Sequence, residues 1–207
     1  MDPGPAPTGR RRPNVRGQGG RLRAEVVEVA TRLLDDLADD EALSLRAVAR
    51  AAGVAPNSVY LYFPDRDALV LAVLQHCHEQ LVRAGDEAAA AAPDPAQGLR
   101  AMLVTQGEWA AAHPGLYKVL HESAVHRRRG MPFKHELLRR TTEAVARCMD
   151  AGLASPGDPA SVAIDVRAAV NGMLALRINE PDLPWPPVAE QIERFLLKLA
   201  GLVLPAA

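Results

Sequence analysis

The amino-acid sequence predicts an all-α protein. Its apolar residues recur every three or four positions, as on one face of a helix, and no segment alternates apolar and polar residues as a half-buried strand would. Proline, glycine and capping residues separate these periodic segments where helices would begin and end. With 207 residues, 48% of them apolar, the chain can bury the core of one large or two small domains.

An opening helix is predicted from apolar residues at helical spacing near the N-terminus. We expect its inward stripe to consist of Leu22, Val26, Val29, Leu33 and Leu37. The acidic run that follows is interpreted as a solvated helix end that faces away from DNA phosphates. This run consists of Asp35, Asp36, Asp39, Asp40 and Glu41.

Two short helices joined by a tight turn are predicted within residues 44–69. Ser44 is a typical N-cap, and small apolar residues follow it on one helical face. Gly53 tolerates the left-handed backbone that stops a helix and turns the chain. Pro56 suits the first turn of a second helix, and Asp65 is placed to cap a third. A two-helix unit with glycine in its turn is typical of the helix-turn-helix, whose second helix enters the DNA major groove.

The same segment carries a longer pattern: Ala-x-x-Ala-Gly-Val, then Tyr-x-x-Phe, then a proline and a basic residue. The matching residues are Ala49, Ala52, Gly53, Val54, Tyr60, Phe63, Pro64 and Arg66. This pattern resembles the DNA-binding region of the TetR family of bacterial transcriptional regulators. The resemblance implies an N-terminal three-helix helix-turn-helix DNA-binding domain and a C-terminal helical domain for ligand binding and dimerisation. We therefore expect a basic arm at residues 1–20, the DNA-binding domain at 21–66 and the C-terminal domain at 67–207.

The second helix of the predicted unit has an apolar and an exposed face. We place Val59, Tyr60 and Phe63 on the apolar face and Asn57, Ser58, Leu61 and Tyr62 on the other. An asparagine can pair with an adenine edge, and arginines, hydroxyls and helix N-termini can bind phosphates. Ser44 could equally be a cap alone, and Asn57 could simply be solvated. The candidate DNA-binding residues are Arg21, Ser44, Arg46, Ala55, Pro56, Asn57, Ser58, Tyr60, Leu61, Tyr62 and Arg66.

The N-terminal segment is strongly basic. Its charged residues are Arg10, Arg11, Arg12, Arg16, Arg21 and Arg23 against Asp2. A chain with net charge −1 is no generic polyanion binder, so this local charge predicts an arm that contacts the minor groove or phosphates. Its composition predicts disorder without DNA, and a solubilising tail is the alternative.

Further helices are predicted along the rest of the chain from start signals and apolar spacing. We expect them to begin near Asp65, Pro95, Leu116, Pro132 and Asp158, with a last helix after Pro187. The arginine run at residues 127–129 is expected in a loop, solvated or bound to an anion. The last two helices have more apolar surface than one small bundle buries, which favours a homodimer. Ala168, Ala169, Gly172 and Ala175 would permit close approach of a partner, although they could instead pack within one subunit.

The family resemblance also implies a ligand cavity among the middle helices, whose occupation shifts the separation of two reading helices. Because the candidate positions mix apolar surface with few polar groups, a small hydrophobic or aromatic ligand is expected. Ordinary core packing is the alternative for each of these residues. The candidates are Met102, Gln106, Trp109, Tyr117, His121, Phe133, Leu137, Cys148 and Met173.

Other classes of protein are disfavoured. The segment 76–79 contains two histidines, a cysteine and a glutamate, but consecutive helical residues cannot converge on one metal ion, so a partly solvated helix face is expected. No nucleophile motif or phosphate loop supports an enzyme, and we expect no cofactor and no catalytic residues. Two cysteines suggest reduced thiols, and a cytoplasmic protein without membrane segments is expected.

The expected function is a homodimeric, DNA-binding transcriptional regulator. Its partners would be a double-stranded DNA operator and a small ligand, and the expected mode is a repressor that leaves the operator when the ligand binds. A ligand-independent or activating regulator is the first alternative. A helical enzyme or carrier that reuses the fold is the second.

Overall fold

The computed structural model describes residues 18–202, and every regular element within them is a helix. This confirms the predicted all-α class. The described helices are α1 (Gln18–Leu37), α2 (Leu45–Ala51), α3 (Pro56–Tyr60), α4 (Arg66–Ala90), α5 (Pro95–Ala112), α6 (Pro114–Glu122), α7 (Val125–Arg129), α8 (Lys134–Asp150), α9 (Pro159–Asn179) and α10 (Val188–Ala200).

The turn between α2 and α3 follows the capping pattern of the sequence. Ser44 Oγ accepts a hydrogen bond from a backbone N–H in the first turn of α2 at 3.1 Å. Gly53 has a φ of 66°, a conformation that L side chains adopt only under strain. The Asp65 carboxylate accepts a hydrogen bond of 2.8 Å from the first turn of α4, which caps the helix that leads away from the turn. These local bonds fix the orientation of α3 relative to α2 and α4.

Two apolar cores hold the helices together. The first joins α1–α4 with α6 and α7, and its members include Val48, Val59, Phe63, Leu69 and Leu116. The second lies among α5, α8, α9 and α10, with members such as Leu103, Val145 and Leu196. Because α6 belongs to the first core and its Tyr117 to the second, this short helix connects the helix-turn-helix with the C-terminal helices.

The buried face of α1 differs from the predicted stripe. Its buried residues are Val26, Val27, Ala30 and Leu34. Leu22, Val29 and Leu33 are partly buried, whereas Leu37 is 42% exposed. Residues 27, 30 and 34 form a second apolar stripe at helical spacing, and α1 packs against α2, α4 and α6 at once. The sequence contains both stripes, and the position of these three neighbours decides which of them is buried.

The arginine run forms a helix and pairs with the start of α4, so the prediction of a solvated loop is wrong. Arg128 makes two hydrogen bonds to the carboxylate of Asp67, at 2.7 and 3.0 Å. Arg129 pairs with Asp65 at 2.5 Å. The acidic run is also less solvated than predicted, because Asp40 is only 7% exposed and Asp35 is half-buried.

Parts of two predictions lie outside the described residues. These are the first 17 residues of the basic arm and residues 203–207 of the predicted C-terminal domain. Residues 18–20 of the predicted arm belong to α1. Within residues 18–202, every helix is too short or too polar to span a bilayer.

Candidate nucleic-acid interface and ligand cavity

The outer face of α3 and the turn that follows it present exposed side chains of mixed polarity. Leu61 is 81% exposed and Tyr60 is 47% exposed, and Asn57 is exposed beside them. Between residues 44 and 64 the chain has two exposed arginines, Arg46 and Arg50, and no acidic residue. This surface is therefore locally cationic in a chain whose net charge is −1. Its polar and apolar groups are of the types that contact base edges and thymine methyl groups.

Most of the predicted DNA-binding residues are exposed. The exposed ones are Arg21, Ser44, Arg46, Ala55, Pro56, Asn57, Tyr60 and Leu61, and the partly buried ones are Ser58, Tyr62 and Arg66. The assignment of the two tyrosines to faces is reversed, because Tyr60 is exposed and Tyr62 packs against the first core. Since α3 ends at Tyr60, helical spacing no longer determines where Tyr62 lies.

Two of the candidate arginines have partners within the protein. Arg21 forms a salt bridge with Glu25 at 2.7 Å on the exposed side of α1. Arg66 Nη1 donates a hydrogen bond of 3.1 Å to the carbonyl of Glu41. Arg66 therefore also ties the start of α4 to the segment before α2.

A cavity of about 240 Å³ lies between α4, α5, α6, α8 and α9. Its lining contains both apolar side chains and several polar ones. The residues are His78, Leu81, Gln106, Trp109, Tyr117, Leu120, His121, Lys134, Leu137, Arg167, Asn171 and Leu174. His121 is exposed, so the cavity reaches the surface on the side of α6.

The cavity brings together five of the nine predicted ligand residues. These five are Gln106, Trp109, Tyr117, His121 and Leu137. Met102, Cys148 and Met173 are instead buried in the second core. Phe133 does not line the cavity, but its ring centre lies 5.2 Å from that of His78, which does. The alternative of ordinary core packing describes these four positions.

Sequence reasoning missed several polar lining residues. His78 is buried, and so is its neighbour Cys77, which corrects the expectation of a partly solvated face at residues 76–79. Within residues 18–202, no three metal-binding side chains are arranged to hold an ion. Arg167 and Asn171 are one turn apart on α9, and both face the cavity. The sequence signal for Arg167 is the position of a cation next to Val166, a buried residue of a largely apolar helix.

Arg167 and Lys134 supply the fixed charge of the cavity. Burial lowers the pKa of His78, and repulsion by Arg167 lowers it further. Although His121 is an exposed residue, the desolvation of its ring lowers its pKa to about 4, and the two cations add to this shift. Burial raises the pKa of Tyr117 to about 12. At neutral pH the two imidazoles and the phenol are therefore uncharged, and the cavity is cationic.

Some polar atoms of the cavity lack partners within the described chain. Gln106 Nε2 and His78 Nε2 are buried, and neither forms a hydrogen bond to any described residue. The hydroxyl of Tyr117 donates to the carbonyl of Asn171 at 3.2 Å. Arg167 Nη1 lies 3.5 Å from Gln106 Oε1, which is a long and weak contact. Buried donors and acceptors are normally paired, so the unpaired atoms suit a polar ligand group.

The helix that forms the cavity wall is bonded directly to α1. The carboxylate of Asp35 accepts a hydrogen bond from the backbone N–H of Leu116 at 3.0 Å. Its other oxygen lies 2.8 Å from His113 Nδ1. Gly115 packs so closely that an added Cβ would lie 1.9 Å from the carbonyl oxygen of Asp35. The N-terminal turn of α6 is thus fixed to the helix that supports α2 and α3.

Both parts of the chain match known families. Residues 40–73 match the family described as bacterial regulatory proteins of the tetR family, and residues 99–199 match the tetracyclin repressor-like C-terminal domain. The chain belongs to the TetR family. It is therefore a DNA-binding transcriptional regulator and not an enzyme, which confirms the resemblance in the helix-turn-helix sequence.

Solved structures of TetR-like proteins have the same fold. The fatty acid degradation regulator FadR of Bacillus halodurans is 17% identical, with a TM-score of 0.73 over 87% of this chain and 96% of that chain. SmeT, the repressor of the Stenotrophomonas maltophilia multidrug efflux pump SmeDEF, is 19% identical, with a TM-score of 0.71 over 89% of this chain and 94% of that one. A protein of unknown function from Rhodococcus sp. RHA1 is 25% identical, with a TM-score of 0.67 over 86% and 95% of the two chains. No curated protein matches the sequence.

Proposed function

We propose that this TetR-family regulator is a homodimeric repressor that a small molecule releases from its operator. One observation carries the proposal: α6 forms part of the wall of a polar cavity and is hydrogen-bonded through its N-terminal turn to α1 of the DNA-binding domain. A ligand that moves α6 would therefore also move α1, and with it α3. In this proposal residues 21–66 bind DNA, residues 67–207 bind ligand and partner, and the basic arm is shortened to residues 1–17, because residues 18–20 belong to α1.

The DNA-reading residues are assigned by their exposure. Asn57, Tyr60 and Leu61 would approach base edges, because they project from the outer face of α3 and its C-terminal turn. The exposed Ser44 and Arg46 at the start of α2 would contact phosphates. The other proposed contacts, which position these residues or lie beside them, are Arg21, Ala55, Pro56, Ser58, Tyr62 and Arg66.

Dimerisation is assigned to the outer faces of α9 and α10. On α9 the exposed residues Ile164, Ala168, Gly172 and Leu176 recur every four positions and form one stripe. On α10 Leu197 is 59% exposed. A Cβ added at Gly172 would meet no atom of the described residues within 4 Å, which leaves space for a closely packed partner helix. A two-fold dimer built on these faces would present two copies of α3 to successive major grooves.

Release follows from the connection between α6 and α1. A ligand that packs against Tyr117 and His121 would displace α6, and with it the hydrogen bonds to Asp35. The two α3 helices of the dimer would then lose the separation that matches the operator. SmeT, which shares the fold, has been solved in complex with triclosan. This supports the proposal that the present protein also binds a small molecule.

The test begins with selection of a DNA site from random duplexes by the purified protein. Compounds that raise the Tm of the protein are then added to the protein–DNA complex. We expect the protein alone to lower transcription in vitro from a promoter that overlaps the site. We expect such a compound to release the DNA and restore transcription. Unchanged affinity for DNA in the presence of a bound compound would favour the ligand-independent alternative, and increased transcription would favour the activator.

A further inference from the structure

Among residues 18–202, the lining of the cavity between α4 and α9 has two cations and no carboxylate. Arg167 comes from α9 and Lys134 from the start of α8. Within the described chain, neither side chain forms a salt bridge. Partial burial of an unpaired guanidinium is unfavourable, because water is removed and no anion replaces it. An anionic ligand would remove this penalty.

Two acidic side chains outside the lining influence the cavity. Glu136 on α8 and, more weakly, Glu79 on α4 raise the pKa of His78, so their negative charges act on this cavity residue. However, hydrogen bonds from Arg139 and Arg140 hold the Glu136 carboxylate and lower its pKa to about 2. Glu136 is therefore committed to two other arginines, and the positive charge of Arg167 stays uncompensated.

The orientation of Gln106 supplies a second, independent observation. An arginine can only donate, so the carbonyl Oε1 of Gln106 must be the atom that faces Arg167. This leaves Gln106 Nε2, a pure donor, without an acceptor, although the residue is only 8% exposed. The Arg167 guanidinium on α9 and Gln106 Nε2 on α5 are thus donors at the same cavity, and they lack a good acceptor among the described residues.

The remaining walls are apolar and aromatic. Trp109, Leu137 and Leu174 line the cavity beside the polar groups, and Trp109 is only partly buried. A volume of about 240 Å³ restricts the occupant to a small molecule. The lining therefore combines an anion site with a compact apolar pocket.

We propose that the effector is a small carboxylate with an apolar or aromatic body, bound with its carboxylate on Arg167 and Gln106 Nε2. Its body would pack against Trp109, Leu137 and Leu174, and Lys134 would add attraction from the rim. This inference rests on the proposed function, because it names the class of ligand for the same cavity. It also adds an anionic group to the small hydrophobic or aromatic ligand expected from the sequence, since a molecule without one would leave the guanidinium and the amide unpaired.

The inference is tested with the full-length protein and matched pairs of compounds. Thermal unfolding and calorimetric titration compare phenylacetate with phenylacetamide, and octanoate with octanamide. We expect the carboxylates to raise the Tm and to bind about 10- to 100-fold more tightly than their amides, as charge-assisted hydrogen bonds would give. Arg167→Gln should remove this preference, and Arg167→Lys should restore part of it. The exposed Arg147 on α8 provides the control, since Arg147→Gln should bind like the wild type.

Three results would overturn the inference: amides that bind as tightly as the carboxylates, a preference for carboxylates that survives in a folded Arg167→Gln variant, or no Tm shift with either carboxylate. Circular dichroism of each variant without ligand establishes that it is folded. Operator binding is measured on the same preparations. A protein that selects a DNA site but shows no preference for carboxylates refutes this inference alone, whereas a protein that selects no DNA refutes the proposed function.

Discussion

At the scale of single residues, Ser44 and Asp65 cap helices and Gly53 turns the backbone between α2 and α3. Each acts through neighbours within a few residues, so spacing alone identifies these roles in the sequence. The roles of Arg167 and His78 depend on neighbours from other helices. Arg167 lies 61 residues from Gln106, its contact across the cavity. No local rule predicts which distant side chains a buried cation will meet.

Ser44 allows its two possible roles to be separated. Ser44→Ala removes the cap of α2 and should lower the free energy of unfolding by about 1 kcal/mol. Ser44→Asp retains a capping acceptor and should unfold like the wild type, but its negative charge should weaken DNA binding beside a phosphate. Urea unfolding and fluorescence anisotropy with the selected DNA measure the two effects. If Ser44→Asp binds DNA as tightly as the wild type, Ser44 is a cap and nothing more.

At the scale of helices, α6 and α7 determine how the two parts of the molecule are joined. The sequence predicted a short helix that begins near Leu116, but it did not predict the contact with Asp35, because an acidic run is usually solvated. It missed α7 for the same reason, since Arg128 and Arg129 pair with carboxylates at the start of α4. Charge runs therefore gave the least reliable expectations for this chain.

Gly115 tests the contact between α6 and α1. An added methyl group would collide with the backbone of Asp35, so Gly115→Ala should lower the free energy of unfolding by about 1–3 kcal/mol. Gly20→Ala is the control, because Gly20 lies on the exposed side of α1 with nothing within 4 Å of an added Cβ. The control should leave stability unchanged or raise it by up to about 1 kcal/mol. Equal urea midpoints for the two variants would mean that α6 is not packed on α1 in this way.

The ion pair between α7 and α4 predicts a dependence on pH. The hydrogen bond from Arg128 is the largest cause that lowers the pKa of Asp67 from its ordinary value of 3.8. A carboxylate with a lowered pKa in the folded state stabilises the protein above pH 3.8, and this contribution is lost as the pH falls through the lowered value. The wild type should therefore lose more stability on acidification than Arg128→Ala does.

Arg127→Ala is the matched control for that experiment. Arg127 is an exposed neighbour on α7, and no salt bridge to it is present in the described residues. Thermal unfolding across the acidic range should give the same pH profile for this control as for the wild type. A profile of Arg128→Ala that also runs parallel to the wild type would show that the pair contributes nothing to folding.

For the whole molecule, charge and apolar surface are distributed unevenly. The basic face lies at α2 and α3, the cationic cavity lies inside the C-terminal helices, and the unpaired apolar stripe lies on α9 and α10. The sequence predicted the all-α fold class, because amphipathic spacing is a property of each helix. The cavity was predicted only in part, because its position depends on how five helices pack together.

The outer stripe of α9 predicts the oligomeric state. Leu176→Glu places a charge on this stripe and should raise the Kd of the dimer by at least about tenfold, since the charge would be buried in the interface. Leu183→Glu is the control: the two leucines are 49% and 48% exposed, but Leu183 lies in the segment after α9. Sedimentation equilibrium measures both variants. A Leu176→Glu variant that dimerises like the wild type would place the interface elsewhere.

The central claim is that the exposed face of α3 reads DNA, and selection of binding sites from random duplexes tests it most directly. We predict that the wild type and the control Gln80→Ala, which alters an exposed amide on α4, enrich the same two-fold symmetric site. The folded double variant Asn57→Ala, Tyr60→Ala should lose this enrichment, because each good base contact is worth about 1–3 kcal/mol. Enrichment of no sequence by the wild type, or of the same site by the double variant, would contradict the account.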